Sequence, residues 1–184
     1  MASVVLGSGV VLYGASLFQG GTQQEAISVS GVKIWVHATD SNGLAWGATG
    51  IRNTGDKVVS IDKIQIRGMD VPFSSWYPDT TITPTLFQQA LNHTGWSGTG
   101  GMLKDQATCV PDVVIEIDGG PATDDICANA VSGPVSLTPG ASAIIYFKLV
   151  NGTLSSLDSG EKTSVNISAG KTGSPRSVTI EGRS

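Results

Sequence analysis

The chain has 184 residues, which is enough for one domain with a hydrophobic core. It carries 11 Lys and Arg against 15 Asp and Glu, a net charge of −4, and only 14% of its residues are charged. Because no basic cluster is present, this composition argues against a nucleic-acid partner. The 24 glycines are typical of a β-rich protein with many turns.

The first 24 residues contain no Asp, Glu, Lys or Arg. A secretory signal peptide would need basic residues ahead of its apolar run, and none is found there. The run from Ala2 to Phe18 falls short of the roughly 20 apolar residues of a transmembrane helix. A buried first strand over "VVLYG" would leave the other uncharged residues unexplained. We therefore predict an α-helix that packs against copies of itself.

Apolar side chains surround this predicted helix on most sides, which is typical of a helix buried on all sides. Glycines on one face allow two helix backbones to approach closely. The predicted assembly residues are Val4, Leu6, Gly7, Gly9, Val10, Leu12, Gly14, Leu17 and Phe18. We predict that residues 1–25 form this assembly helix with its junction and that residues 26–184 form a β-sandwich sheath domain.

Alternation with a period of two dominates from residue 26 onward and predicts strands with one buried and one solvated face. The segments are "VKIWV", "DKIQIR", "VVIEID", "SVNIS" and "SVTIE", and the more uniformly apolar residues 143–150 predict a central strand. Turn signals such as Asn42-Gly43 separate them. Short strands at this spacing indicate a β-sandwich or a Greek-key barrel. We predict a mainly β fold, an N-terminal apolar α-helix followed by an Ig-like antiparallel β-sandwich.

The middle of the chain, residues 70–135, is the least regular part, and we expect long loops there with one short helix within residues 83–93. Trp35 and Trp46 alternate out of the core-facing positions of their strands. Aromatic residues outside a sandwich can mark a subunit interface, or they can be covered by a loop. We favour the covering loop.

Two cysteines, Cys109 and Cys127, would close a loop of roughly 19 residues if they paired in an oxidising compartment, worth about 3 kcal/mol. The alternative is two buried thiols. The segment between them is loop-prone, so we favour the disulfide. The acidic loop at residues 118–125 could supply oxygen ligands to calcium, but its spacing matches no defined calcium loop. We favour a solvated acidic turn and predict no metal site.

The only histidines, His37 and His93, belong to no catalytic or metal-binding signature, and no nucleophile elbow or phosphate-binding loop is present. We therefore predict no enzymatic activity, no catalytic residue and no cofactor. Three N-x-S/T sequons begin at Asn92, Asn151 and Asn166, and we treat each as a candidate N-glycosylation site.

Three stretches resemble archaellins and archaeal type IV pilins. "ASVVLGSGVVLYGASLFQGGTQQEAI" is similar to the membrane-proximal helix and its junction, and "AWGATGIRNTGDKVVSIDKIQIRG" to a strand–turn–strand stretch. "AIIYFKLVNGTLSSLDSGEKTSVNISAGKTGSPRSVTIEG" is similar to the C-terminal strands. The likeness covers about half the chain, in the right order. Family precursors carry a basic peptide that is removed just before the helix. Since none is found here and the helix is short, we expect the upstream end to be missing or already removed.

The resemblance implies a structural subunit of an extracellular, cell-surface filament, either a swimming archaellum or an adhesive pilus. Its partners would be identical subunits in a helical polymer, and the membrane would be a partner only before assembly. Glycosylation in this family makes the three sequons more credible. The alternative is a membrane-anchored accessory domain that binds carbohydrate or the surface layer without polymerising, for which Trp35, Trp46, Trp76 and Trp96 are the candidate contacts.

Overall fold

The computed structural model describes residues 26–88, 90, 91, 93, 113–115, 126–128 and 130–184. Strands make up most of these residues, and the helical elements among them are short: α1 (Pro84–Gln88) and two 3-10 turns, Phe73–Ser75 and Ser156–Asp158. The strands of the described part are β1 (Ile27–His37), β2 (Ala45–Asn53), β3 (Val59–Ile66), β4 (Met69–Asp70), β5 (Trp76–Asp79), β6 (Val113–Ile115), β7 (Ile126–Ala128), β8 (Val135–Leu137), β9 (Ser142–Lys148), β10 (Lys162–Ala169) and β11 (Thr172–Arg183).

Nine of the described strands form one continuous sheet in the order β4-β3-β10-β11-β1-β2-β9-β5, with β8 also paired to β3. All pairs in this sheet are antiparallel except β1 and β11, which run parallel with Ile34 opposite Ile180. Strand β11 joins the two halves, because its residues 172–179 pair with β10 and its residues 180–183 pair with β1. Strands β6 and β7 pair with each other in a separate two-stranded sheet.

This arrangement corrects the predicted fold. The mainly β character is confirmed, but an N-terminal apolar α-helix followed by an Ig-like antiparallel β-sandwich is wrong: nine of the eleven described strands form one sheet curled into a half-barrel. The physical reason is the length of β11, which passes from one half of the sheet to the other and so prevents two separate sheets. The helix of that prediction falls on residues 1–25, which lie outside the described residues.

The main core lies inside the curl of the sheet. It combines buried side chains from strands that are distant along the sheet, and this is possible only if the sheet wraps around them. Its fully enclosed members include Ile34, Ile64, Phe147, Ile167 and Ile180. Apart from Phe147 in β9, these are inward positions of the alternating segments, so the predicted faces of β1, β3, β10 and β11 are confirmed.

A second hydrophobic cluster lies on the opposite face of β1, β2 and β9. Its buried members are Trp35, Leu44, Trp46, Ala48, Ile144 and Tyr146. Because β9 contributes to both clusters, residues 143–147 are all buried. This explains why residues 143–150 do not alternate, and it confirms the prediction of a central strand, with β2 on one side of β9 and β5 on the other.

One end of the main sheet, which we name the tract end, receives the chain from residues 1–25. It comprises Ala26, the turn at residues 53–57 and the loop at residues 138–141. The Thr54 amide donates a hydrogen bond to the Ala26 carbonyl at 3.0 Å, and the Gly140 amide donates to the Asn53 carbonyl at 3.0 Å. These bonds hold the start of β1 against both turns.

The opposite end, which we name the far end, comprises the loops at residues 38–44 and 150–161 and the turn at residues 67–68. The Arg67 guanidinium binds the Asp158 carboxylate at 2.6 Å, so the turn and the second loop are joined. The first loop is the hairpin predicted from Asn42-Gly43, and Gly43 has the positive φ of 69° that this turn requires.

Candidate functional site

The junction between the uncharged N-terminal segment and the sheet is the first feature of functional interest. Strand β1 begins at Ile27, two residues after Glu25, and pairs with β2 over most of its length. It also pairs with β11, so β1 is an interior strand of the sheet. Residues 1–24, which we name the tract, therefore precede an interior strand of the sheet in the chain.

Asn53 is the centre of this junction. Its side chain is fully buried, and its amide nitrogen donates to the carbonyl oxygens of Lys57 at 2.7 Å and Leu137 at 2.9 Å. Its side-chain oxygen accepts a hydrogen bond from the Gly55 amide at 2.9 Å. Its backbone amide donates to the Ala141 carbonyl at 2.9 Å. One side chain thus fixes the turn at residues 53–57 and connects it to the end of β8. The sequence indicated the turn but not this buried role.

The outward tryptophans Trp35 and Trp46 lie in the second cluster and are each 1% exposed. Trp35 stacks on Tyr146 with ring centroids 6.2 Å apart, and Trp46 contacts Tyr77 with centroids 5.3 Å apart. The partly buried side chains that pack against the cluster are Tyr77, Ile82, Phe87 and Leu91. The segment containing α1 therefore covers these tryptophans, which confirms the prediction of a covering loop.

The other two candidate tryptophans add no exposed aromatic surface to the described structure. Trp76 is fully buried in the main core, where its ring nitrogen donates to the Val71 carbonyl at 3.0 Å and its ring meets Phe73 edge-on at 4.8 Å. Trp96 lies outside the described residues. Carbohydrate-binding sites commonly present an exposed aromatic face, and the three described tryptophans do not.

A cluster of charged side chains lies on the outer face of β1 and β11. Lys33 binds Glu181 at 2.5 Å, and Arg183 binds the other oxygen of the same carboxylate at 3.1 Å. Partial burial acts to raise the pKa of Glu181, but the hydrogen bond and charge of Lys33, with those of Arg183, outweigh it and lower that pKa. These are partly exposed ion pairs, and they contribute little to stability.

His93 lies beside this cluster, with its ring 5.6 Å from that of Trp35. Partial burial, with the nearby Arg183 charge, lowers the pKa of His93 to about 4. The imidazole is therefore neutral at pH 7 and behaves as part of the aromatic cluster. His37 has a structural role, since its Nδ1 accepts a hydrogen bond from the Asp40 amide at 3.1 Å in the hairpin loop.

Two hollows open on the described surface. A groove of about 600 Å³ lies between residues 30–33 of β1 and the residues Phe87, Gln88, Ala90 and Leu91. A second pocket of about 280 Å³, which we name the tract-end pocket, lies where β2 and β9 meet the segment before α1. Its lining includes Arg52, Thr80, Ile82, Pro84, Phe87 and Ala141. Neither hollow brings together an acid, a base and a nucleophile.

The sequons differ in their surroundings. Asn151 is exposed in the turn that follows β9, whereas Asn166 is partly buried in β10, where its amide nitrogen lies 3.4 Å from the Gln65 side-chain oxygen. Asn92 and Cys109 lie outside the described residues, as does the acidic loop at residues 118–125, and the predicted disulfide with Cys127 therefore stays a prediction. The assembly residues between Val4 and Phe18 likewise lie outside them.

Within the described ranges, no group of three or more His, Cys, Asp or Glu side chains is placed to hold a metal ion. No helix in that same part of the chain is long and apolar enough to cross a membrane. No protein-family model matches this chain, and comparison with curated proteins finds no match.

Proposed function

We propose that this protein is a structural subunit of an extracellular archaeal filament, of the archaellum or adhesive-pilus type. In this proposal the tract packs against the tracts of neighbouring copies, and residues 26–184 form the outer domain. The observation that carries the proposal is the place where the tract joins the sheet: the chain enters the described domain through β1, an interior strand that is paired on both sides. In a subunit that bears load, force transmitted from the tract reaches this strand first, and pairing on both sides holds the strand in the sheet.

The sequence of the tract supports packing between copies. It has no charged side chain to desolvate, and its apolar residues could leave lipid and enter a protein core without an electrostatic cost. Gly7, Gly9 and Gly14 would allow neighbouring backbones to approach closely. A single head-to-tail contact that repeats without closing a ring produces a helical polymer.

The alternative, an accessory domain that binds carbohydrate or the surface layer without polymerising, depended on four outward tryptophans. Three of them, Trp35, Trp46 and Trp76, are buried, and Trp96 lies outside the described residues. We therefore favour the filament. The same tract would lie in the membrane before assembly, and the chain would then reach the cell surface as part of the polymer.

The filament proposal is tested by assembly of the full chain and of a variant lacking residues 2–24. We expect the full chain to sediment as filaments with a regular repeat in electron micrographs. The shortened chain should stay in the supernatant as a folded monomer with a β-rich circular dichroism spectrum, because its sheet begins at Ile27. A full chain that stays monomeric at high concentration would overturn the proposal.

A point substitution tests the packing of the tract more finely. Gly14→Leu should block filament growth because its side chain would hold neighbouring tracts apart, while the folding of residues 26–184 is unchanged. The matched control is Gly14→Ala, which adds one methyl group and should still assemble. Normal filaments from Gly14→Leu would show that the tract does not pack closely at this position.

A further inference from the structure

The described surface has an unequal distribution of exposed apolar side chains between its two ends. Large hydrophobic residues that are at least half exposed are Val58, Met69, Val150 and Leu157. Three of them, Met69, Val150 and Leu157, lie at the far end, and Val58 lies at the tract end. Single exposed hydrophobic residues are ordinary, but a grouping at one end of a domain marks a candidate interface.

Leu157 is the most prominent of these side chains, with 90% of its surface exposed. It lies in the 3-10 turn Ser156–Asp158, which is held from both sides. The Asp158 carboxylate accepts hydrogen bonds from the Ser155 amide at 2.7 Å and from the Ser155 hydroxyl at 3.0 Å. Arg67 binds the other oxygen of that carboxylate at 2.6 Å. These hydrogen bonds and the ion pair with Arg67 fix the conformation of the turn. The Leu157 side chain extends from this turn and is left exposed by the described part of its own domain.

The tract-end pocket lies at the opposite end of the sheet. Three apolar side chains, Ile82, Phe87 and Ala141, are partly buried in its wall. Its volume of about 280 Å³ exceeds that of a leucine side chain. Since Arg52 pairs with Ser142 at the tract-end limit of β2 and β9, the pocket lies at the end of these strands opposite the far end. A projecting residue and a pocket at opposite ends of one molecule can engage only between different copies.

The exposed charges nearest to the pocket and to Leu157 have opposite signs, although each end of the sheet carries both signs. Exposed Arg52 lies in the pocket wall, and the neighbouring turns carry exposed Lys57 and Lys171 together with exposed Asp56. Around Leu157 the exposed charge in the same loop is Glu161, four residues further along the chain. When one far end meets one tract end, Glu161 and Arg52 are brought to the same interface, which favours this pairing over two far ends or two tract ends.

We propose that the outer domains contact each other head to tail, with Leu157 of one copy seated in the tract-end pocket of the next copy. This inference rests on the proposed filament function and adds a second contact to the packing of the tracts. The contact is heterologous, so each copy offers one projecting residue and one pocket, and repetition extends the polymer in one direction. The partner is a second copy of this chain.

Assembly of the full chain tests the contact from the Leu157 side. Leu157→Asp and Leu157→Ser should each raise the concentration needed for polymerisation on the order of tenfold or more, because both lose the apolar contacts with Ile82, Phe87 and Ala141, and serine cannot pair with Arg52 instead. The matched control is Ser177→Asp, which places the same charge at an exposed position in the middle of β11, away from both ends, and should assemble as the wild type does. Thermal unfolding of all three variants should be unchanged, since both side chains are exposed.

The pocket side has its own pair of variants. Thr80→Trp would place a large ring in the tract-end pocket and should weaken assembly to a similar extent as Leu157→Asp. Thr85 is also exposed but does not line the pocket, so Thr85→Trp is the control and should assemble normally. A photo-crosslinking amino acid at position 157 should react with residues 80–88 or 140–142 of another copy, which mixed isotope-labelled and unlabelled chains would reveal by mass spectrometry.

Each outcome is decisive. If the wild type polymerises and Leu157→Asp and Thr80→Trp do so equally well, this contact is wrong and the filament proposal stands. A crosslink from position 157 to residues 1–25, or to its own chain, would also overturn the contact. If the wild type does not polymerise, both proposals fail together.

Discussion

Asn53 is a buried polar side chain whose hydrogen bonds hold the junction beneath the tract. A buried carbonyl or amide that loses its partner costs more than an average hydrogen bond contributes, because it stays desolvated. The turn sequence Asn-Thr-Gly-Asp alone predicted a turn at this place. The distinction between a solvated turn asparagine and a buried one depends on β8 and β9, which come more than eighty residues later in the chain.

Asn53→Ala should lower the free energy of unfolding by about 3 kcal/mol, because it leaves the Leu137 and Lys57 carbonyls and the Gly55 amide without their side-chain partner. Asn42→Ala is the matched control in the exposed hairpin turn, and we expect a change within about 0.5 kcal/mol. Urea unfolding measures both. Equal stability of the two variants would show that the Asn53 side chain is not a structural centre.

His93 gives the stability a dependence on pH. Its pKa in the folded protein is about 4, whereas the ordinary value is 6.5, so the unfolded chain binds the proton more tightly. Stability should therefore fall as the pH decreases from about 6.5 to about 4, and this contribution is fully present only above 6.5. Melting temperatures across this range should show a smaller decrease for His93→Gln than for the wild type. The same decrease in both would exclude His93 as the cause.

The lowered carboxylate pKa values act in a more acidic range. Lys33 and Arg183 lower the pKa of Glu181 against the opposing effect of burial, and the hydrogen bond from Arg67 lowers that of Asp158. Their stabilisation is present above the ordinary carboxylate values of 4.5 and 3.8 and is lost as the pH falls through the folded values. A decrease in stability between pH 6.5 and 5 can therefore be assigned to His93 and not to these carboxylates.

At the scale of elements, the close approach of β2 to its neighbours depends on a residue without a side chain. A Cβ at Gly47 would collide with the Phe147 ring and lie 2.8 Å from the Ile34 terminal methyl carbon. Both neighbours are fully buried, so neither has room to move. Gly47→Ala should therefore destabilise the protein by about 1–3 kcal/mol through overpacking.

The matched control for that substitution is Gly133→Ala, where an added Cβ would meet nothing within 4 Å. We expect this variant to be as stable as the wild type or slightly more so, since alanine restricts the unfolded chain. Thermal unfolding monitored by near-ultraviolet circular dichroism measures both. A loss of stability at Gly133 as large as that at Gly47 would contradict the packing explanation.

Individual strands could be predicted from the sequence, but their arrangement could not. Alternation in "VKIWV" and "DKIQIR" identified Ile34 and Ile64 as inward residues, and both are fully buried. Alternation specifies a face and not a neighbour, so the parallel pairing of β1 with β11 was missed, and an antiparallel sandwich was predicted instead. The sequence feature closest to predicting this pairing was the unusual length of the extended C-terminal segment, because a long strand can pair with both halves of a sheet.

The candidate site was predictable only in part. The loop that covers Trp35 and Trp46 followed from their alternation, because large apolar side chains outside a core need shelter. The tract-end pocket had no sequence signal: Arg52 and Ala141 are distant in the chain and meet only because β2 pairs with β9. Leu157 is one leucine among polar residues, and its exposure depends on how its turn is held.

At the scale of the whole molecule, the fold gives two of the candidate glycosylation sites different accessibility. Asn151 is exposed in a turn, whereas Asn166 is partly buried in a strand with neighbours on both sides. We expect more complete glycosylation at Asn151 than at Asn166 in protein from the native host, measured by mass spectrometry of glycopeptides. Asn151→Gln should remove that glycan, and Asn42→Gln, outside any sequon, should leave the mass profile unchanged. Higher occupancy at Asn166 would show that exposure does not decide modification here.

The parallel pairing of β1 and β11 also has a mechanical consequence. In this pair, Ile34 to His37 lie beside Ile180 to Arg183. Because the strands are parallel, the N-terminal end of β1 and the C-terminal end of β11 lie at opposite ends of the pair. Force that pulls these two strand ends apart acts along the strands, so it loads all the interstrand hydrogen bonds of the pair at once in shear. In an antiparallel hairpin pulled at its open end, the interstrand hydrogen bonds would break one after another. A polymer of such domains under tension would resist extension up to a high force, and its domains would then unfold in single abrupt steps. Optical tweezers would record these steps as a sawtooth force–extension curve.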